Sequence, residues 1–263
     1  ALIRQTGRRF SELLLETANT NETKSLAVLL RKFAVPLRQA LQRECWLGHP
    51  GQPRLHVFFR SGTAAIVALS QPGNASPWPL GIPRLKFPRG APSRSTLKLD
   101  EAFRVFVRHP ERDLGPGLTA VDLGAAPGGW TWQLVHRHIR TVAVDNGALD
   151  PALLDSGIVE HLRVDGFRYR PPKPVDWLVC DMVEQPTRIA ALVADWLANG
   201  HCRQAIFNLK LPMKKRYETV LDSRGLIEAR LAATGLPCRL RFKQLYHDRA
   251  EITGHADTRG PLP

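Results

Sequence analysis

The residues best suited to chemistry lie in Val121-Asp122-Leu123-Gly124-Ala125-Ala126-Pro127-Gly128-Gly129-Trp130, where a strand-like pattern gives way to a helical one. Small residues at such a turn let the backbone approach a ligand closely, with a helix N-terminus directly behind. Asp145, Asp165 and Asp181 close three later apolar segments. In open α/β sheets the ligand crevice lies beyond the carboxyl ends of the strands. A carboxylate after the second strand suits a ribose diol, and one after the third suits an adenine amino group. Clustered negative charge also suits a sulfonium cation and repels a pyrophosphate. A single strand-end Asp serves as readily as a turn former or helix cap. The succession of three beside Pro-Gly-Gly is what points to a ligand.

The lysines form the second group. Lys210 sits in Phe207-Asn208-Leu209-Lys210-Leu211-Pro212, an otherwise apolar strand. Lysine is almost never fully buried unless it is paired. It either snorkels from an edge strand or stands in the crevice as a base, favoured there by partial burial and a neighbouring cation. Lys98, after Ser95-Thr96-Leu97, is a candidate for that cation, and Asp181 and Glu251 are candidates to orient the two amines.

The elements that must position these groups follow from periodicity. From residue 97 onward, strand and helix patterns alternate. Helices are expected over 97–108, 130–138, 189–198 and 214–234, and strands at 119–123, 141–144, 162–164, 177–180 and 205–211. That alternation argues a doubly wound, mostly parallel α/β sheet. Two last strands, 239–245 and 251–255, joined at His247-Asp248-Arg249, should form an antiparallel hairpin at the sheet edge. Upstream, 10–15 reads as a strand and 22–42 as a helix with apolar Leu26, Leu29, Leu30, Phe33, Leu37 and Leu41, broken at Pro36. Strands at 55–59 and 64–70 complete a small α+β unit. Between the two regions, 72–95 is dense in Pro and Gly, which reads as a linker or extended arm. The expected division is therefore 1–71, the arm 72–95, the α/β domain 96–257 and a tail 258–263.

The 263 residues carry 37 Lys and Arg against 24 Asp and Glu, a formal charge of +13, with 43% hydrophobic residues. That apolar content excludes disorder as the main state, and the charge suits a polyanionic partner. Lys24, Arg31 and Lys32 in the early helix, and Arg84, Lys86, Arg89 and Arg94 in the arm, are the candidate nucleic-acid contacts. No apolar run reaches the roughly 18 residues of a membrane span, and no signal-peptide pattern is present. The four cysteines include no CxxC pair, so neither a disulfide framework nor a metal site is expected, in keeping with a reducing cytoplasm. The chain starts at Ala1, which suggests a fragment or processed form.

Asp122–Trp130 together with Lys98, Asp181, Lys210 and Glu251 resembles the Lys-Asp-Lys-Glu tetrad and glycine loop of the FtsJ-like ribose 2′-O-methyltransferases. The similarity is closest to bacterial members that methylate a cytidine ribose in 23S ribosomal RNA. It is carried by Gly81–Pro88, Ala91–Leu99, Val179–Glu184, Gln244–Arg249 and above all Asn208-Leu209-Lys210-Leu211-Pro212-Met213-Lys214-Lys215-Arg216-Tyr217. The resemblance implies a Rossmann-like class I methyltransferase sheet preceded by part of a THUMP RNA-binding domain. It implies an S-adenosylmethionine site made by Ser95, Ala126, Pro127, Gly128, Gly129, Asp145, Asp165 and Asp181, with Lys210 as proton acceptor. The expected partner is 23S ribosomal RNA, bound by a monomer without metal or membrane. Family members often carry Cys where Ala126 stands, at a loop that works mainly through its backbone. They also have a longer N-terminal region, including a ferredoxin-like part.

Other classes fit less well. A nicotinamide-dependent dehydrogenase would need GxGxxG where residues 124–129 read Gly-Ala-Ala-Pro-Gly-Gly. A cytosine-C5 methylase needs a Pro-Cys nucleophile, which Cys180 lacks, and an exocyclic-amine methylase needs Asn/Asp-Pro-Pro-aromatic where Asp181-Met182-Val183-Glu184 stands. An idle RNA-binding module would leave the tetrad without purpose. Replacing Arg84, Lys86, Arg89 and Arg94 by Gln is expected to weaken RNA binding. It should also flatten the salt dependence by about 0.7 in log–log slope for each single-strand phosphate that is no longer neutralised. Filter binding across a salt series measures both, and an unchanged slope would leave the segment a linker.

Overall fold

A computed structural model describes residues 7–247 and 250–260. The chain folds as two compact units, one ending at Pro83 and the other starting at Arg84. The first holds β1 (Leu13–Thr17), α1 (Lys24–Arg43), β2 (Arg54–Phe59) and β3 (Ala65–Ser70). β1 pairs with β2 in parallel and β3 with β2 antiparallel. Phe10, Leu13, Leu55 and Val57 form the core of this unit with Leu41 of α1.

Two local expectations are corrected here. α1 runs unbroken through Pro36. Its proline stands on the exposed face, where the backbone groups it frees can turn to water. The first strand starts at Leu13, because Phe10 makes only a single bridge to Leu47. The segment after β3 contains one 3₁₀ turn, Pro79–Gly81, and is held to its own unit where the Leu80 amide donates to Glu16 and Arg54 donates to the Ser76 carbonyl.

The second unit holds α2 (Thr96–Phe106), α3 (Pro110–Asp113), β4 (Thr119–Leu123), α4 (Gly129–Val135), β5 (Arg140–Val144) and α5 (Pro151–Leu154). These are followed by β6 (Val159–Leu162), β7 (Val175–Cys180), α6 (Pro186–Ala198), β8 (Cys202–Lys210), α7 (Arg216–Ala232), β9 (Arg239–Lys243) and β10 (Glu251–Asp257). Its strands form one sheet in the order β6-β5-β4-β7-β8-β10-β9. Every pairing is parallel except those of β10, which runs antiparallel to both β8 and β9. The expected edge hairpin is therefore present, with β10 inserted between its partner and the parallel strands. Asp248 and Arg249 of its expected turn lie outside the described residues, as do residues 261–263 of the tail.

The sixth strand departs from expectation, starting at Val159 and ending at Leu162. Val164 instead stands exposed beyond it. Its apolar character suggested a strand, but sheet pairing with β5 already ends at Leu162.

Alternation splits the core into two layers. Val121, Leu123, Leu178, Cys180 and Phe207 pack against α6 residues such as Ile189 and Trp196. Ala120, Val179 and Ile206 face α2 and α4 through Leu99, Phe103, Trp130 and Leu134. Gly254 on β10 lies against Phe207, and a Cβ there would collide with the Cζ end of the ring. Gly254→Ala should destabilise the domain by about 1–3 kcal/mol through overpacking. Phe207→Leu in the same chain should recover part of that loss as a favourable coupling in a double-mutant cycle of urea midpoints. Strict additivity would refute the close packing of ring and backbone.

Candidate active site

Strand parity gathers the ionisable groups. Ile206 faces α2, so Asn208 and Lys210, two and four residues on, face it too. On antiparallel β10, Glu251 stands directly opposite Lys210 and Thr253 opposite Asn208. Asp181 is the first residue beyond β7, on the face that Val179 shares with α2. Lys98, in the first turn of α2, closes the group from above.

The four side chains form a ring of alternating charge. Lys98 Nζ lies 2.7 Å from Asp181 Oδ2 and 3.1 Å from Glu251 Oε2. Lys210 Nζ lies 2.8 Å from Asp181 Oδ1 and bonds the other oxygen of Glu251. The Lys210 side chain is 22% exposed, against 11% for Lys98, 12% for Asp181 and 8% for Glu251, so Lys210 is the ring's opening to solvent. Burial opposes the Lys98 charge, but Asp181 and Glu251 outweigh it and raise its pKa above the ordinary lysine value. Burial likewise opposes the Asp181 charge, and the two lysines overcome it, holding this carboxyl below the usual range. Glu251 goes the other way. Burial and the nearby Asp181 charge push its pKa up despite both lysines. The ring thus contains one firmly ionised carboxylate and one that accepts a proton more readily.

Two supporting residues carry no role in the sequence reading. Asn208 donates to Asp181 Oδ1 at 2.9 Å and accepts from the Thr253 hydroxyl at 2.7 Å, which fixes the amide's orientation and that of the carboxylate. Glu101, buried one turn after Lys98, accepts from the backbone amides of Tyr246 and His247 at 2.9 and 3.1 Å, and His247 Nδ1 lies 2.6 Å from it. It ties the segment leading to Glu251 onto the helix that carries Lys98. Its only sequence signal is a carboxylate on the inward stripe of α2, three residues from Lys98.

Beside the ring, at the carboxyl ends of β4 to β7, lies a cavity of about 400 Å³. Asp145, Asp165 and Asp181 all line it, together with Gly124, Ala126 and Met182. Asp145 accepts from the amides of Ala126 at 3.0 Å and Gly147 at 2.7 Å, so it shapes the glycine loop as well as facing the space. Asp165 accepts from the Phe167 amide at 2.8 Å. Gly124, at φ +79°, would place a Cβ 2.6 Å from Met182 Cγ and is required by that contact. Ser95, Pro127, Gly128 and Gly129 do not line this cavity. Gly128, at φ +118°, packs against Leu153 and Pro92, and Gly129 leaves room for the hydroxyls of Ser93 and Ser95, which lie 2.6 Å apart. These glycines let the 92–95 segment and the loop approach each other. In the first unit Lys24, Arg31 and Lys32 are exposed, and in the second so are Arg84, Lys86, Arg89 and Arg94. None has an ion-pair partner among the described residues.

Below the loop, Asp122 is fully buried. Its Oδ2 accepts from the Thr131 hydroxyl at 2.7 Å, and its Oδ1 has no hydrogen-bond partner among the described residues. Complete burial pushes its pKa up to about 7, the Asp181 and Asp145 charges adding to the rise and Thr131 opposing it.

A doubly wound parallel sheet with antiparallel β10 inserted next to its edge strand, together with a glycine loop and a strand-end carboxylate cavity, is the architecture of the class I methyltransferases. Residues 91–208 match the family of FtsJ-like methyltransferases, and residues 1–71 match the N-terminal family of ribosomal RNA large subunit methyltransferase M. The chain is 68% identical to ribosomal RNA large subunit methyltransferase M of Methylococcus capsulatus over 247 residues, 94% of this chain and 70% of that protein. It is 56% identical to the protein of the same name from Aromatoleum aromaticum, over 96% of this chain and 69% of that one. The chain belongs to the ribosomal RNA large subunit methyltransferase M family.

The raised Asp122 pKa has a stability consequence. Between about pH 4 and pH 7 the unfolded chain carries this carboxylate while the fold retains the proton, so stability falls as pH rises across that window. Asp122→Asn does not titrate and keeps an acceptor for Thr131. Its stability relative to the unmodified protein should climb by something on the order of 4 kcal/mol from about pH 4 to pH 7 and then level off. Urea midpoints over that range measure it, and a difference flat with pH would contradict the burial of the charge.

Proposed function

We propose that this protein transfers a methyl group from S-adenosylmethionine to the ribose 2′-oxygen of a cytidine in 23S ribosomal RNA. The observation that carries this reading is the closed ring of Lys98, Asp181, Lys210 and Glu251 at the edge of the carboxylate-lined cavity. The cavity fits the cofactor's chemistry. Its volume is that of a small-molecule site, Asp145 and Asp165 supply acceptors for a nucleoside, and the clustered carboxylates suit a sulfonium. When bound, S-adenosylmethionine supplies an electrophilic methyl group.

A secondary hydroxyl is a weak nucleophile at neutral pH, so it needs a positioned base. Lys210, the most open side chain of the ring, would take the 2′-hydroxyl proton at Nζ while the ribose oxygen gains the methyl group, whose bond to the sulfonium sulfur breaks to leave a neutral thioether. For that it must first be neutral. Glu251, bonded directly to Lys210, holds the amine in place together with Asp181. Asp181 stays ionised and orients both lysines, while Lys98 holds its charge and balances the ring. The N-terminal unit, read as part of a THUMP domain, and the exposed cations of the 84–94 segment bind the RNA. Identity over most of the chain to the two ribosomal RNA large subunit methyltransferases supports the ribosomal substrate.

Lys210→Ala should lower single-turnover methyl transfer to undermodified 23S ribosomal RNA by about a hundredfold to ten-thousandfold, the range for a lost general base. Calorimetric affinity for S-adenosylmethionine should change little, because the interaction removed belongs to the transition state. Lys210→Arg should be nearly as inactive, since a guanidinium stays protonated. Near-normal transfer by the Arg variant would reduce Lys210 to an electrostatic contact. Methyl found on a base rather than on the 2′-oxygen would overturn the reaction itself.

A further inference from the structure

Beyond the charge ring, the segments that follow β7 and β8 carry three apolar side chains that the fold leaves largely uncovered. Val183, two residues beyond Asp181 and on the rim of the carboxylate-lined cavity, is 87% exposed; Met213, three beyond Lys210, is 92% exposed; and Tyr217, in the first turn of α7, is 72% exposed. Among the described residues these are the most exposed large apolar side chains, the next being Val35 at 57%. Isolated exposed apolar residues are ordinary on protein surfaces. The three most extreme, all on the segments that follow two strands of one catalytic ring, mark a surface for a partner.

Charge identifies that partner. Met213 and Tyr217 bracket Lys214, Lys215 and Arg216, and neither Lys214 nor Lys215 has an ion-pair partner among the described residues. An apolar protein surface or lipid chains would leave these cations without counter-charges. A single-stranded nucleic acid supplies both partners, phosphates for the lysines and exposed base faces for the apolar groups.

The loop is also shaped before any ligand arrives. The Leu211 amide donates to the Ala250 carbonyl at 3.2 Å, Arg216 Nε donates to the Pro212 carbonyl at 3.1 Å, and the Thr219 hydroxyl donates to the Lys215 carbonyl at 2.8 Å. Lys215 is held in the left-handed region at φ +58°. The reacting lysine, by contrast, is recessed. A ribose that reaches it must leave its stacked neighbours, and the forfeited stacking has to be replaced.

Resting on the methyl-transfer reading above, we propose that Val183, Met213 and Tyr217 grip the unpaired RNA segment around the reacting nucleotide. The three side chains meet base faces, and Lys214 and Lys215 contact the adjoining phosphates. This surface sets how the ribose is presented and takes no part in the proton transfer.

The test uses the full chain and undermodified 23S ribosomal RNA under single-turnover conditions. Met213→Ser and Tyr217→Ser should each raise the RNA concentration for half-maximal transfer about tenfold, within the range for one base left unstacked. The rate at saturating RNA and the affinity for S-adenosylmethionine should stay near those of the unmodified protein. Tyr217→Phe, which keeps the ring, should restore RNA affinity, a rescue that a hydroxyl-dependent role would not give, while an unchanged urea midpoint in Tyr217→Ser separates the grip from a structural role. Lys214→Gln with Lys215→Gln should flatten the salt dependence by about 0.7 in slope for each cation, whereas Met213→Ser should leave the slope unchanged.

If the unmodified protein methylates the RNA while both Ser variants match its RNA dependence, the grip is refuted and the reaction stands. A loss confined to the saturating rate would also refute it. A defect seen with ribosomal particles but not with naked RNA would assign the surface to a protein partner. No transfer by the unmodified protein would remove the reaction and the grip together.

Discussion

The alternating ring of two lysines and two carboxylates is the interaction around which the larger domain is arranged. Its members come from α2, the end of β7, the end of β8 and the start of β10. Each charge is largely withdrawn from water, so none is tolerable alone. Removing one partner of a buried ion pair typically costs about 3–5 kcal/mol, because it strands the other. The ring therefore closes only when α2, β7, β8 and β10 are all in place, and in that state the Lys210 side chain is its most open member. Neutral overall, it concentrates its asymmetry in the two carboxylates: Asp181 is held ionised while Glu251 is pushed toward its neutral form.

Asp181 joins the ring to the neighbouring cavity, because it contacts both lysines and lines the space between the strand ends. The groups that shape the cavity are also bound to each other. Asp145 holds the Ala126 amide, Gly124 admits Met182, and Gly129 admits the serines that precede α2. The glycine loop is thus a joint between the segment that carries Lys98 and the strand ends that carry the aspartates. Its small residues let the segment before α2 pack onto the loop, and this links the loop motif to the ring of charges.

The N-terminal unit is a different physical object. Its three-stranded sheet has a core of few side chains, while Leu29, Phe33 and Val35 of α1 and Ile66 of β3 remain exposed. Its cations Lys24, Arg31 and Lys32 share no ion pairs with its carboxylates among the described residues. Unpaired surface cations contribute little to stability and remain available to a polyanion.

How much of this was legible beforehand follows the range of the interactions concerned. Strand alternation, the turn at Pro127-Gly128-Gly129 and the succession of strand-end aspartates are local signals, and they located β4, β5, β7 and β8 and three walls of the cavity. Parity alone puts Asn208 and Lys210 on one face. Lys98 and Glu251 were candidates among the charged residues of the sequence, and the family resemblance joined them with Asp181 and Lys210 into one tetrad. Local signals misjudged Pro36, where solvent satisfies what the proline frees, and Val164, where pairing with β5 rather than apolarity ends the strand. Tertiary structure alone decided that Glu251 stands opposite Lys210, that Lys98 reaches a carboxylate 153 residues away, and that Glu101 pins the segment before Glu251 across a separation of 145 residues. Those choices depend on which strand lies beside which. Side-chain period and turn chemistry act over a few residues, whereas strand order is fixed by burying both faces of the whole sheet.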